Sequence, residues 1–255
     1  MPYQRKVDKN KIPTCSILGV AIADINMDWL IRFTAENIAR LAGDYMCVSN
    51  VHTTVMAYEE QAYREIQNGG IMAVPDGGPL SFVGRKRGHK GMARTTGPDY
   101  LEEILRISKE NGYKHYFYGS LPNTLAKLKN EIEERFPGTE IVGMYSPPFR
   151  PLTQAEDAEI IEAINKVNPD FIWIGLGAPK QEKWMAEHQG KVNGFMVGVG
   201  AAFDYMAGNI ERAPDWMQKS NLEWCYRLLQ DPKRLFKRYF TTNTKFIVNA
   251  MIRGK

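Results

Sequence analysis

Long apolar runs are missing from this chain. No stretch reaches the roughly 18 consecutive apolar residues that a membrane-spanning helix needs, so no spanning segment is expected. The chain opens on M-P-Y-Q-R-K-V-D-K-N-K, with no apolar segment behind the charges, and no signal peptide is expected. Cysteine is scarce: Cys15, Cys47 and Cys225 are the only three, and their spacing fits no metal site. Cys15 and Cys47 lie in apolar, strand-like runs, where reduced buried thiols are expected, and a reducing, cytosolic compartment follows. There is no D-x-D pair and no His/Asp/Cys cluster, so no catalytic metal is expected. The first predicted strand leads into A-D-I-N-M-D (23–28) rather than G-x-G-x-x-G, which counts against an NAD-dependent oxidoreductase.

What is present fits one large domain with an appendage. The chain has 255 residues and 44% hydrophobic content, enough for a sizeable core. Short apolar runs predict strands at 15–22, 45–50, 71–74, 114–119, 140–145, 170–176 and 194–199. Amphipathic segments predict helices between them, at 27–41 and from the second strand through Tyr63 among others. The last four strands each follow a helix-period segment. This alternation predicts an α/β fold with a mainly parallel, Rossmann-like sheet covered by helices. There is no internal repeat and no low-complexity segment. One Pro-rich loop, S-P-P-F-R-P (146–151), separates a strand from the helix capped by Thr153.

Charge divides the chain near Gly208. Residues 209–255 carry ten Lys/Arg and four Asp/Glu, whereas the remainder carries 23 basic and 25 acidic residues. From Pro232 onward there are seven basic residues and no acidic one. Leu235, Phe236, Tyr239, Phe240, Phe246, Ile247, Val248 and Met251 alternate with those charges. Two units are therefore expected: a catalytic core over 1–208 and a basic, amphipathic helical appendage over 209–255. The appendage has the makeup of a helix that lies on an anionic membrane surface; the competing reading is a solvated basic helix packed on the core. Nothing resembles a nucleic-acid-reading module, so no nucleic acid is expected as a partner. The apolar face must be hidden off the membrane, which makes self-association through the tail an expectation.

In open α/β sheets the active site lies beyond the carboxyl ends of the strands, and the chemistry-bearing residues collect there. Asn50 ends the second predicted strand, and Asp76 and Gly77 follow the third in P-D-G-G. Gly119 and Ser120 end the fourth in G-S-L-P-N, where a strand, a glycine and a helix N-terminus make a nucleotide-binding turn. Gly177 and Gln181 follow the strand at 170–176, and Gly200 and Asp204 follow the last. Asp76 reads either as a general base or as the cap of the next helix. Asp204 reads either as a ribose ligand or as a cap. Asp99 reads as the cap of the helix near Tyr100, Thr95 and Thr96 as hydroxyl donors, and Glu182 as structural. Lys180 and Lys183 suit a solvent-facing first turn. Arg227 and Arg234, seven residues apart, are expected on one helix face, where they can share a phosphate.

Taken together, G-L-G-A-P-K-Q-E-K-W (175–184), V-G-V-G-A-A-F-D-Y-M-A-G-N-I-E-R-A-P-D-W-M (197–217) and L-E-W-C-Y-R-L-L-Q-D-P-K-R (222–234) resemble the WecG/TagA/CpsF family of glycosyltransferases. P-D-G-G (75–78), R-T-T-G-P-D (94–99) and F-Y-G-S (117–120) match the same family in the same order, so the resemblance runs from about Ser16 to Tyr239. It implies transfer of a sugar from a UDP-sugar onto a polyprenyl-diphosphate-linked sugar, with no cofactor beyond the substrates. It implies that Asp76 is the base, that Arg94 meets the diphosphate and that Gln181 contacts a sugar. It also implies that Arg212, Arg227 and Arg234 close over the lipid diphosphate.

One stretch departs from the family. Teichoic-acid and enterobacterial-antigen members show T-P-N-P-E where this chain has V-S-N-V-H-T-T (48–54). Asn50 is kept, but the threonine is Val48, the proline Ser49 and the glutamate His52. A hydroxyl near the catalytic aspartate is lost, which sets the chain apart from members that transfer N-acetylmannosamine. His52 then reads either as a sugar or proton-transfer contact, or as a structural first-turn histidine. The sequence therefore supports an inverting, metal-independent glycosyltransferase of capsule, exopolysaccharide or wall-polymer assembly, peripheral on the inner face of the bacterial plasma membrane. A membrane-associated UDP-binding sensor without transferase activity is the non-enzymatic alternative.

Overall fold

Each apolar run is short for a helix and the inner runs are covered on both faces, so the runs pair as strands. The computed structural model describes residues 3–220 and 222–254, apart from the side chains of Lys219, Arg234, Lys237 and Arg238. Among the described residues one sheet is built from β1 (Thr14–Ile17), β2 (Val20–Ala23), β3 (Tyr45–Ser49), β4 (Met72–Pro75), β5 (Lys114–Gly119), β6 (Glu140–Tyr145), β7 (Phe171–Gly175) and β8 (Phe195–Gly198). The order across the sheet is β1-β2-β4-β3-β8-β7-β5-β6, and every pairing except β1 with β2 is parallel. The expected α/β class and parallel sheet are found.

The helices are α1 (Met27–Leu41), α2 (Val51–Glu59), α3 (Gln61–Gly69), α4 (Gly78–Lys86), α5 (Gly97–Asn111), α6 (Pro122–Arg135), α7 (Gln154–Val167), α8 (Lys180–Glu187) and α9 (Ala202–Met206). The C-terminal segment adds α10 (Asp215–Lys219), α11 (Glu223–Gln230) and α12 (Pro232–Phe246), followed by a π-helical turn at Ile247–Ile252.

Two elements differ from the sequence reading. The run 15–22 is a hairpin, because Leu18 and Gly19 both take left-handed backbone conformations, φ 52° and 85°. A leucine there is uncommon; Leu18 is 1% exposed, and its burial offsets the backbone cost. The helix expected to run through Tyr63 breaks at Glu60, whose φ of −121° and ψ of 110° are extended.

Successive residues of β7 point to opposite faces and thereby join two cores. Phe171 and Trp173 enter one cluster with Phe117, Leu101, Ile104 and Phe203. Ile172 and Ile174 enter the other with Tyr118, Met185 and Met196. Phe246 and Ala250 of the C-terminal segment belong to this second cluster, at 2% and 3% exposure. The segment is therefore packed on the core at that point: Arg87 donates to the Ala250 carbonyl at 2.9 Å, and Lys245 pairs with Glu59. Phe246, expected on a membrane-facing surface, faces inward instead. No described helix is long and apolar enough to cross a membrane.

His115 lies fully buried in the first core's aromatic stack, against Phe171 and Trp173. Its Nδ1 accepts from the Trp173 indole at 3.0 Å, so the proton sits on Nε2 and is donated to Ser108 at 2.8 Å. Burial drives its pKa from 6.5 down to about 3. The unfolded chain therefore takes a proton at His115 that the folded chain refuses. This contribution to stability is complete above pH 6.5 and is lost as the pH falls towards 3. Urea unfolding should show about 2–3 kcal/mol lost from this group between pH 7 and 4.5. His115→Phe should be less stable at pH 7 and show a correspondingly shallower pH slope.

Candidate active site

Five neighbouring strand ends open into one cleft of about 1720 Å³. Asn50, His52, Asp76, Gly77, Arg94, Ser120, Gly177, Gln181, Gly200, Asp204 and Arg227 all line it. Gly119 lies just beneath the wall, where a Cβ would come within 2.7 Å of the Gly175 carbonyl. Only a glycine lets the ends of β5 and β7 approach so closely. Ser120 follows at φ 61°, and its carbonyl accepts from the Ser146 hydroxyl at 2.7 Å.

Asp76 leaves β4 with its amide bonded to the Ser49 carbonyl at 2.7 Å. It does not cap α4: Gly77, at φ 98°, holds the N-cap position and there is no side-chain cap. The Asp76 carboxyl is free of that structural duty and faces the cleft. Burial raises its pKa from 3.8 to about 6; Arg94, a hydrogen bond from Asn50 and Arg227 pull it down, while Glu223 pushes it up. Asn50 does two jobs. Its Oδ1 caps α2 by accepting from the His52 and Thr53 amides at 3.0 and 3.2 Å, which leaves its amide for Asp76. His52 is thus a first-turn residue of α2 that also reaches the cleft wall.

Arg94 stands opposite, on a loop pinned to β4 by the Thr95 amide and the Pro75 carbonyl, 2.8 Å apart. Thr96 caps α5 by accepting from the Asp99 amide, so Asp99 is not the cap. Asp99 accepts from the Thr96 hydroxyl at 2.6 Å and lies 3.6 Å from Arg94 and 2.7 Å from Arg212. Glu223 of α11 pairs with Arg94 and lies 3.8 Å from Arg212. Arg212 thus pairs with Asp99 and Glu223 across the fold, and it is not among the residues that line the cleft. Arg227 lies over the Tyr205 ring, 5.5 Å from its centroid. Arg227 and Arg234 do not share a helix, because the chain breaks at Asp231 (φ −138°, ψ 68°) and Pro232 begins α12. The Arg234 side chain lies outside the described residues.

Gln181 is engaged within the protein. Its Oε1 accepts from the Gly177 amide at 3.1 Å, and its Nε2 donates to Glu182 at 2.9 Å and to the Gly198 carbonyl at 3.1 Å. It thereby ties the turn after β7 to the end of β8. Glu182 is fully buried with its pKa raised by desolvation, and it shares a hydrogen bond with Tyr63. Tyr63 accepts from Gln67 at 3.0 Å, and Gln67 accepts from Ser49 at 2.5 Å. Ser49 thus anchors a buried polar chain beneath the cleft. Lys180 and Lys183 are exposed at the rim. Asp204 accepts from Asn209 at 3.2 Å and does not cap α9.

Sequence reasoning missed Glu223 and Tyr205. Glu223 is one of only four acids in the basic segment, and that scarcity was its one signal. Tyr205 was hidden inside a motif read for its glycines and Asp204; its hydroxyl is buried with no hydrogen-bond partner. Among the described residues no group of three His, Cys, Asp or Glu is gathered as a metal site.

The raised pKa makes a stability prediction. The folded chain holds the Asp76 proton more tightly than the unfolded chain does, so ionising Asp76 above pH 4 costs stability that is fully lost by pH 6–7. Asp76→Asn should therefore be more stable than the parent at pH 7.5, by about 1–2 kcal/mol once screening of the part-exposed carboxyl is allowed for. The gain should vanish near pH 4 in chemical denaturation.

Comparison with known proteins assigns the chain to a family. A profile of the family described as "Glycosyl transferase WecG/TagA/CpsF family" matches residues 15–255. A Bacillus subtilis (strain 168) protein named N-acetylglucosaminyldiphosphoundecaprenol N-acetyl-beta-D-mannosaminyltransferase is 27% identical over 224 residues, covering 87% of this chain and 85% of that protein. A Staphylococcus aureus (strain MW2) protein of the same name is 25% identical over 231 residues, covering 89% of each. With nearly its whole length matched, the chain belongs to the WecG/TagA/CpsF family of glycosyl transferases.

Proposed function

We propose that this glycosyltransferase moves a sugar from a UDP-sugar onto a polyprenyl-diphosphate-linked sugar, by a single inverting displacement without a metal. The observation that carries the reading is the carboxyl of Asp76, free of any helix cap and facing Arg94 across the same cleft. A volume of about 1720 Å³ exceeds what one drug-sized ligand fills and suits two substrates held together. Asp76 would take the proton of the acceptor hydroxyl as that oxygen attacks the anomeric carbon. Its pKa near 6 leaves it ionised at neutral pH and basic enough to act. Arg94 and Arg227 would neutralise the charge growing on the departing diphosphate. Both named relatives are transferases of a sugar to an undecaprenol-diphosphate-linked sugar, which supports the acceptor class.

The C-terminal segment supports a peripheral membrane setting for assembly of a capsule, exopolysaccharide or wall polymer on the cytoplasmic face. Most of the exposed large apolar side chains lie there, among them Trp216, Trp224, Leu229, Phe236, Phe240 and Ile252. Phe236 and Phe240 stack on each other, 6.3 Å between centroids, at 63% and 68% exposure. The same segment carries seven basic residues after Pro232, each worth about 1 kcal/mol near an anionic leaflet.

Transfer is tested with a panel of UDP-sugars and a short-chain polyprenyl-diphosphate-linked sugar. Asp76→Asn should lower turnover about 10²- to 10⁴-fold while UDP binds within a few fold of the parent; near-parental turnover removes Asp76 from the base role. For the parent, kcat/KM should fall tenfold per pH unit below about pH 6, where Asp76 becomes protonated. Chelator should leave the rate unchanged, whereas loss on chelation and recovery with magnesium or manganese overturns the metal-free reading.

The membrane reading is tested by co-sedimentation with anionic vesicles. Phe236→Ser/Phe240→Ser should keep the parental melting temperature and lose vesicle binding, and parental binding should weaken with salt. Equal sedimentation of both proteins at low and high salt favours a solvated tail.

A further inference from the structure

Four charges form a closed ring at the edge of the cleft. Arg94 touches Asp99 and Glu223, and Arg212 touches the same two carboxylates. The two arginines differ in how well they are served. Glu223 forms a hydrogen-bonded pair with Arg94 through Oε2, and only its Oε1 approaches Arg212, at 3.8 Å. Nη2 of Arg212 is ion-paired with Asp99 at 2.7 Å, whereas Nε is buried without a hydrogen-bond partner and has only Glu223 Oε1 nearby, at 3.8 Å. A buried guanidinium N–H left this way is costly. It would be satisfied by a move of the Glu223 carboxylate towards Arg212.

Glu223 and Arg94 both line the cleft, whereas Arg212 is not among its lining residues. In the free protein a carboxylate therefore covers the guanidinium that the proposed reaction needs. Glu223 is also the first residue of α11, and Arg227 lies four residues on, on the same helix face. A shift of α11 that moved Glu223 towards Arg212 would carry Arg227 and Trp224 with it.

We propose that Glu223 is an internal stand-in for a substrate diphosphate, holding Arg94 until a diphosphate enters and then passing to Arg212. The inference rests on the reading of Arg94 as a diphosphate contact and adds the residue that occupies it beforehand. Asp99 stays behind Arg94 throughout and keeps it extended. Two consequences follow. Diphosphate binding is opposed by the contact it must break, so the site is weaker than its arginines alone provide. Binding is also coupled to the position of α11, which brings Arg227 in only once Arg94 is occupied. Glu223 is thus a positioning residue that sets when the arginines are available.

The test is calorimetric titration of the full-length protein with UDP and, in parallel, with inorganic diphosphate, both without divalent ions. Glu223→Gln should bind both ligands about three- to tenfold more tightly, the range that release of a part-buried ion pair allows. A gain is not what loss of a merely structural contact gives. Arg212→Gln should bind about as much more weakly than the parent, because Glu223 then has no second partner. That loss should disappear in the Glu223→Gln/Arg212→Gln double variant. In transfer assays Glu223→Gln should lower the donor KM and lower kcat as well, since α11 is no longer drawn in. Should Glu223→Gln fold poorly, Glu223→Asp, with its charge kept at shorter reach, should bind with intermediate affinity. Unchanged or weaker binding of both ligands by a folded Glu223→Gln overturns the proposal. So does an Arg212→Gln loss of equal size in both backgrounds, which places Arg212 on the ligand itself. Tighter inorganic diphosphate with no UDP binding in any variant keeps the exchange and removes the UDP reading.

Discussion

A carboxyl that the protein half hides from water is the constraint around which this site is arranged. Asp76 emerges from a buried parallel strand, and desolvation there favours its protonated form. Four neighbours set the balance: Arg94, Asn50 and Arg227 favour the charge, and Glu223 opposes it. They come from the loop before α5, the end of β3 and α11. The site therefore needs both the sheet and the C-terminal segment to be in place. An Asp on an open surface would ionise near pH 4 and be a weaker base; the same group fully buried without partners would stay neutral.

The C-terminal segment is asked to satisfy two surfaces. One side closes the cleft with Glu223, Trp224 and Arg227 and fills the second core with Phe246 and Ala250. The other shows stacked Phe236 and Phe240 to the outside, within a stretch of basic sequence. Under the proposed function, a segment that both walls the cleft and presents apolar surface links substrate handling to where a lipid-linked acceptor resides. That proposal also accounts for the concentration of the charge imbalance after Gly208: a core of nearly neutral composition needs no basic excess, but a surface proposed to face anionic lipid does.

The sheet was legible because β5, β7 and β8 are short, largely apolar runs that each end in glycine, a pattern few other structures accept. The strand-end residues Asn50, Asp76, Ser120, Gly177 and Gly200 were legible for the same reason, since a parallel sheet gathers those ends on one side. Three features resisted. The Leu18-Gly19 turn was invisible because a leucine gave no sign of a left-handed backbone, and burial of its side chain decided the matter. The inward-facing Phe246 could not be told from an outward-facing one, since helical periodicity marks an apolar face but not what covers it. The Arg94–Glu223 pair joins residues 129 positions apart, beyond the reach of any local pattern.

The state of Asp76 is the quantity on which this account turns, and it can be observed directly. Carboxyl ¹³C chemical shifts, followed from pH 3 to 9 in the free parent protein and assigned by difference against Asp76→Asn, report its titration. The account predicts a midpoint near pH 6. A midpoint near pH 4, the value of an aspartate in open water, would contradict it.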